Sequence, residues 1–145
     1  MSIIDDTNSQ PSDTAPLLEQ EIPAIQEERF VFDFLGCEST PNTDFPLTCD
    51  FLVENSQVAE RQLYIFASGG PGTRVLDTNG NEMIASSVQL GSSISNSSVY
   101  KNMPSKIPLK ATLSFARAPE GGIRIIDISC SNNRSVFDVE FRFYR

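Results

Sequence analysis

The chain of 145 residues contains no His. His is the commonest general base near neutral pH and a member of the Ser-His-Asp and Cys-His nucleophilic sets, so those chemistries are closed to this protein. The usual zinc ligand goes with it. The three Cys, at positions 37, 49 and 130, have no Cys-x-x-Cys spacing, so a structural zinc site is not expected. Ser98-Val99-Tyr100-Lys101 matches the Ser-x-x-Lys spacing of penicillin-binding enzymes. That spacing needs a helical turn to carry the Lys to the Ser. Here it falls in a Ser/Asn-rich stretch without the accompanying Ser-Asp-Asn and Lys-Thr-Gly elements, which reads as a chance match. Asp77-Thr78-Asn79-Gly80-Asn81-Glu82 gathers oxygen ligands around a Gly as calcium loops do, but it lacks the length of an EF-hand loop. A hairpin turn through Asn79-Gly80 explains it better. Gly69-Gly70-Pro71-Gly72 is followed by neither Lys-Ser/Thr nor a helical pattern, so it reads as a loop, not a phosphate cradle. Paired carboxylates of glycosidase type cannot be read from sequence spacing, and the acids fall mostly where solvated strand faces are expected. The sequence thus predicts no catalytic, cofactor-binding or metal-binding residue, and a protein that is not an enzyme.

Cys37 and Cys49 form the one candidate covalent link. They close the first predicted strand and open the second, and a hairpin would bring them together. Face parity opposes this: Phe30, Phe32 and Phe34 turned inward would leave Cys37 outward and Cys49 inward. One extra residue at a bulge by Gly36 would restore the match. Two unpaired, half-buried thiols are an equal alternative, and a reducing compartment would keep the pair open.

Period-two alternation must position whatever these residues do. Phe30, Phe32 and Phe34 alternate with Val31, Asp33 and Leu35, and Leu47, Cys49, Phe51 and Val53 alternate with Thr48, Asp50, Leu52 and Glu54. Residues 61–67 read as a strand stopped by the Gly/Pro cluster at 69–72. Residues 73–77 and 82–85 flank the Asn79-Gly80 turn, and Val88 and Leu90 alternate briefly. The clearest strand carries Ile107, Leu109, Ala111, Leu113 and Phe115, and residues 123–129 and 136–144 follow. The pattern predicts an all-β fold, an antiparallel β-sandwich of about 7–8 strands, with a partly open barrel as the competing closure. Residues 1–28 hold seven acids, no base and prolines at 11, 16 and 23, and are expected to form a disordered acidic tail ahead of a domain at 29–145.

The run Arg74-Val75-Leu76-Asp77-Thr78-Asn79-Gly80-Asn81-Glu82, with Ala85–Gly91, Ile107–Phe115 and the pair Cys37 and Cys49, resembles a family of uncharacterised bacterial, often cyanobacterial, immunoglobulin-like accessory domains. The resemblance covers residues 30–143. It implies a non-catalytic immunoglobulin-like sandwich and supplies no functional residues.

Net charge is −8 overall, yet the tail accounts for seven of those charges and the domain holds twelve acids against eleven scattered bases. Such a domain has no basic patch for nucleic acid. No apolar run reaches the roughly 20 residues of a membrane helix, and Met1–Asp6 has no signal-peptide pattern, so direct membrane insertion is not expected and the location expected is cytoplasmic. The function expected is a non-catalytic protein-binding or assembly module, its partner another protein or a larger assembly, with oligomeric state left open. Leu17, Leu18, Ile22 and Ile25 would form a docking motif in the tail. Tyr64, Tyr100 and Tyr144, with the loop at 68–72, would anchor contacts on the domain. The alternative is a carbohydrate- or calcium-binding accessory sandwich, against which the absence of Trp counts.

Overall fold

The computed structural model describes residues 22–133 and 135–143. Most of the predicted tail, with Leu17 and Leu18, lies outside the described residues, as does Tyr144. The described chain is all-β, with twelve strands in two antiparallel sheets and no closed barrel. The first sheet contains β1 (Ile25–Glu27), β2 (Phe30–Ser39), β3 (Leu47–Asn55), β10 (Leu109–Phe115), β7 (Ser87–Leu90) and β8 (Ser93–Ser95), in that spatial order. The second contains β4 (Arg61–Phe66), β5 (Arg74–Asp77), β6 (Glu82–Ile84), β9 (Ser98–Met103), β11 (Ile123–Ser131) and β12 (Val136–Arg142).

Alternation builds the core. On β3, Leu47, Cys49, Phe51 and Val53 are fully buried, and on β12 Phe137, Val139 and Phe141 turn inward between exposed Val136, Asp138, Glu140 and Arg142. Rings from opposite sheets meet in the middle: Phe51 and Phe34 lie 5.3 and 5.9 Å from Phe141, and Phe30 stacks 6.4 Å from Phe137. Tilted aromatic pairs at such separations add to what burial of the rings contributes.

Twelve strands stand where about eight were expected; nine fall on the segments that alternate in sequence, and the additions are β1, β8 and β9. Sequence alternation is faint in Ser93-Ile94-Ser95, and β9 places Lys101 among the inward positions between Val99 and Met103. β1 lies inside the segment read as tail. It pairs with β2, Ile25 opposite Phe32 and Glu27 opposite Phe30, and both Ile22 and Ile25 pack against the core. The packed unit therefore reaches back to Ile22, seven residues before the expected boundary at Arg29. The acidic composition of Gln26-Glu27-Glu28 hid a strand whose order comes from its partner.

Two irregularities shape the sheets. The β2–β3 register shifts between Phe34 and Gly36, leaving Leu35 half exposed as the extra residue. Gly36 sits at φ 136°, a conformation suited to Gly at such a bulge. Beyond it Cys37 turns inward and faces Cys49. In the second sheet, β4 and β5 pair end to end along one edge of β11 while β12 takes the other. Residues 67–73 loop out between them. Thr73, fully buried, pinches the loop closed: its hydroxyl donates to the Phe66 carbonyl (2.5 Å) and accepts from the Ser129 amide (3.1 Å), and its amide donates to Ala67 (2.9 Å).

Candidate functional site

The outer face of the second sheet follows from its registers. Gln62 lies opposite Asn102, Tyr64 opposite Tyr100, and Phe66 opposite Ser98. The Tyr64 and Tyr100 rings are 4.8 Å apart, tilted by 40°, and Phe66 stacks 6.5 Å from Tyr64. The amide of Gln62 donates to the Tyr100 hydroxyl (2.8 Å), which donates to Asn102 Oδ1 (2.9 Å). Tyr100 and Asn102 are two residues apart on one strand, so this bond holds the ring along β9. Tyr100 is 39% exposed.

Beside this pair, at the same end of the sandwich, three connections meet: the β1–β2 turn at Glu28-Arg29, the β3–β4 loop at 56–60, and the β11–β12 turn at Asn132-Asn133. They enclose an open groove of about 1070 Å³, whose wall Gln62 and Asn102 complete. Backbone bonding fixes its shape. Glu28 and Arg29 both have positive φ (50° and 66°), as a two-residue hairpin turn of the mirror-image type demands, and neither is the Gly or Asn that adopts it readily. Surrounding groups hold it. Arg61 Nη1 donates to the Glu28 carbonyl (2.8 Å), with its guanidinium 4.5 Å over the Phe30 ring, and Ser56 donates to the Arg29 carbonyl through its amide (3.1 Å) and its hydroxyl (2.7 Å). Asn132 Nδ2 reaches the Glu28 carboxylate at 3.3 Å. Asn55, fully buried, donates to the carbonyls of Ala59 (2.8 Å) and Met103 (3.0 Å), which anchors the 56–60 loop to the end of β9.

Elsewhere the chemistry is structural. Both carboxylate oxygens of buried Asp77 are engaged: Oδ1 accepts from the amides of Asn79 (2.9 Å) and Asn81 (2.8 Å), Oδ2 from the amide of Glu120 (3.0 Å) and the side chain of Asn81 (3.3 Å). Burial pushes its pKa up, and these donors outweigh it, holding the group below the usual carboxylate range. The segment once compared with a calcium loop is a hairpin closed by its own Asp. Ser98 and Lys101 lie three apart on a strand, hence on opposite faces, and are not brought together. Cys37 and Cys49, opposite each other with Cα atoms 4.0 Å apart, are joined in a disulfide whose two residues are buried. Cys130, near the end of β11, sits in the core between Ile65 and Phe137, and burial, with Asp138 and Asp127 nearby, pushes its thiol well above its ordinary value.

Of the residues singled out from sequence, Tyr64 and Tyr100 are thus paired on one face, while the 68–72 loop lies beyond Phe66 at the far end of β4, where the Ser68 hydroxyl donates to the Asn96 carbonyl (2.7 Å). Ile22 and Ile25 are engaged with the core. Sequence reading missed Arg61, Gln62, Asn102 and Asn132. The outward positions of β4 gave a signal for Gln62, which alternates with Leu63; nothing local marked the others. No family model, curated protein or solved structure matches the chain. Its function must therefore be read from the site.

Proposed function

We infer that the chain is a non-catalytic binding module and that it engages its partner with the end of the second sheet that carries Gln62, Tyr64, Tyr100 and Asn102. The observation that carries this reading is the Tyr100 ring, pinned at its hydroxyl and partly exposed, next to a groove whose walls are tied down before any ligand arrives. Pre-organisation of this kind lowers the ordering cost of association, and Tyr is among the side chains that anchor interfaces. A protein or larger assembly would bury Tyr64 and Tyr100 as anchors. A carbohydrate would stack on Tyr100, and the amide lining of the groove favours that second reading.

The experiment is capture from an extract of the native host on immobilised full-length protein, assaying retained protein and sugar, beside the variant Tyr64→Ala/Tyr100→Ala. Retention by the parent and loss by a variant that melts normally supports the surface; equal retention by both removes it.

Among the described residues no helix is long and apolar enough to cross a membrane. For the compartment, the buried Cys37–Cys49 bond favours an oxidising environment over the cytoplasm expected from sequence. Alkylation of the protein as isolated from its host, followed by mass measurement, decides this: two additional reactive thiols at 37 and 49 would return it to a reducing compartment.

A further inference from the structure

We propose that the groove between the β1–β2, β3–β4 and β11–β12 connections is a site for a neutral, polyhydroxylated chain, a glycan, with the Tyr100 ring as the stacking platform at its mouth. The proposal rests on the binding-module reading above and names its ligand class.

The lining decides the chemistry. Of the twelve described residues that line it, six are carboxamides: Gln26, Gln57, Gln62, Asn102, Asn132 and Asn133. A carboxamide presents a donor and an acceptor on one planar group, and so does every hydroxyl. A row of hydroxyls can therefore satisfy such a wall, and be satisfied by it, in both directions, except at Asn132, whose amide is engaged with Glu28 and Ser135. The charged members nearly cancel, with Glu27, Glu28 and Glu60 set against Arg29 and Arg61. Among the described residues, two cations set among three acids give a phosphate or carboxylate no net attraction. Among the described lining residues the one apolar member is Ala59, so they offer almost nothing to an apolar ligand or to the buried side chains of a docking helix.

Geometry supports the same class. At about 1070 Å³ the groove stands just above the range of roughly 300–1,000 Å³ usual for small-ligand sites, and it is open to solvent, which leaves room for more than one sugar ring. Gln62 and Asn102 belong both to the groove wall and to the hydrogen-bonded chain that pins Tyr100. Each gives one function to the tyrosine and keeps the other: the Asn102 side-chain N–H and the Gln62 carbonyl make no further hydrogen bond among the described residues. They offer a ready donor and acceptor beside a partly exposed ring, the combination that grips a sugar by its hydroxyls while its C–H face packs on the ring. Gln26, Arg29, Glu60 and Asn133 likewise make no side-chain hydrogen bond among the described residues.

The test uses the full chain on an array of immobilised neutral oligosaccharides of the gluco-, manno-, galacto- and xylo-series, with sialylated and sulfated glycans on the same surface, followed by calorimetric titration of any hit. Tyr100→Ala and Asn102→Ala probe the site, and Lys110→Ala, on the other sheet, is the control. The expected result is binding of a neutral series, weakened about tenfold or more by each site variant and unchanged by the control. Binding of charged glycans alone, or neutral binding indifferent to Tyr100 and Asn102, overturns the proposal. If no glycan binds while a protein captured from the host is lost from Tyr64→Ala/Tyr100→Ala, the ligand class is wrong and the binding-module reading stands. If neither is captured, both fall.

Discussion

Single residues in this protein do their work through the hydrogen bonds they accept. Asp77 ties the Thr78–Asn81 turn to the 119–122 turn with four donors. Its pKa is lowered in the fold, so it contributes stability that is present above its unfolded value and is lost as pH falls through its folded value. Asp77→Asn, which keeps the shape and removes the charge, should lower the melting temperature at neutral pH, with the gap to the parent closing on acidification; a gap constant with pH would show that charge has no part in it. Asp138 has the opposite sign. Although the residue is exposed, partial desolvation first, and then the neighbouring Asp127, raise its pKa, so it favours the fold while protonated and ceases to as pH rises through its folded value. The Asp77 hairpin was legible in sequence because Asn-Gly turn chemistry is local. The Glu120 amide that completes its cage lies 43 residues away, and no local rule brings it in.

At the level of elements, the β2–β3 pair shows how one extra residue redirects a strand. Leu35 bulges out at Gly36, and everything beyond changes face, which sets Cys37 opposite Cys49. Parity arguments predict this bulge as the condition for the disulfide, because the period of a strand is two and a slip of one residue flips every side chain. The double variant Cys37→Ser/Cys49→Ser should lose about 3 kcal/mol of stability in denaturant titration, given the loop it opens. A loss well under 1 kcal/mol would mean the bond adds little to a register the core already fixes. Gly36→Ala forces a side chain into a positive-φ position and should cost on the order of 1–3 kcal/mol by the same measurement, although nothing lies within 4 Å of the added methyl. The edge strands β1, β8 and β9 resisted prediction for a different reason. They are short or mixed in composition, and pairing, not propensity, orders them.

For the molecule as a whole, the folded unit and its boundary are the testable quantities. β12 runs along the full exposed edge of β11 and supplies Phe137, Val139 and Phe141 to the core, so removal of residues 136–145 should abolish cooperative unfolding. At the other end, a chain starting at Arg29 should melt lower than one starting at Ile22, because it lacks β1 and the packing of Ile22 and Ile25. Equal melting temperatures would restore the boundary that composition suggests. The groove belongs to this scale as well: its walls come from residues near 26–29, 57–62, 102 and 132–133, and only the closure of the two sheets makes them neighbours.

The sequence by itself determined the β character, the inward rows of Phe, Leu and Val, the main turns, and the conditional pairing of Cys37 with Cys49. These depend on period-two patterning and on turn residues, which act over a few positions. The tertiary structure alone decided between sandwich and barrel, drew Ile22–Glu27 into the fold, paired Tyr64 with Tyr100, and assembled the amide-lined groove. Those outcomes depend on which distant strands share a register, a matter settled by the mutual burial of two sheets and left unmarked in any local stretch of the chain.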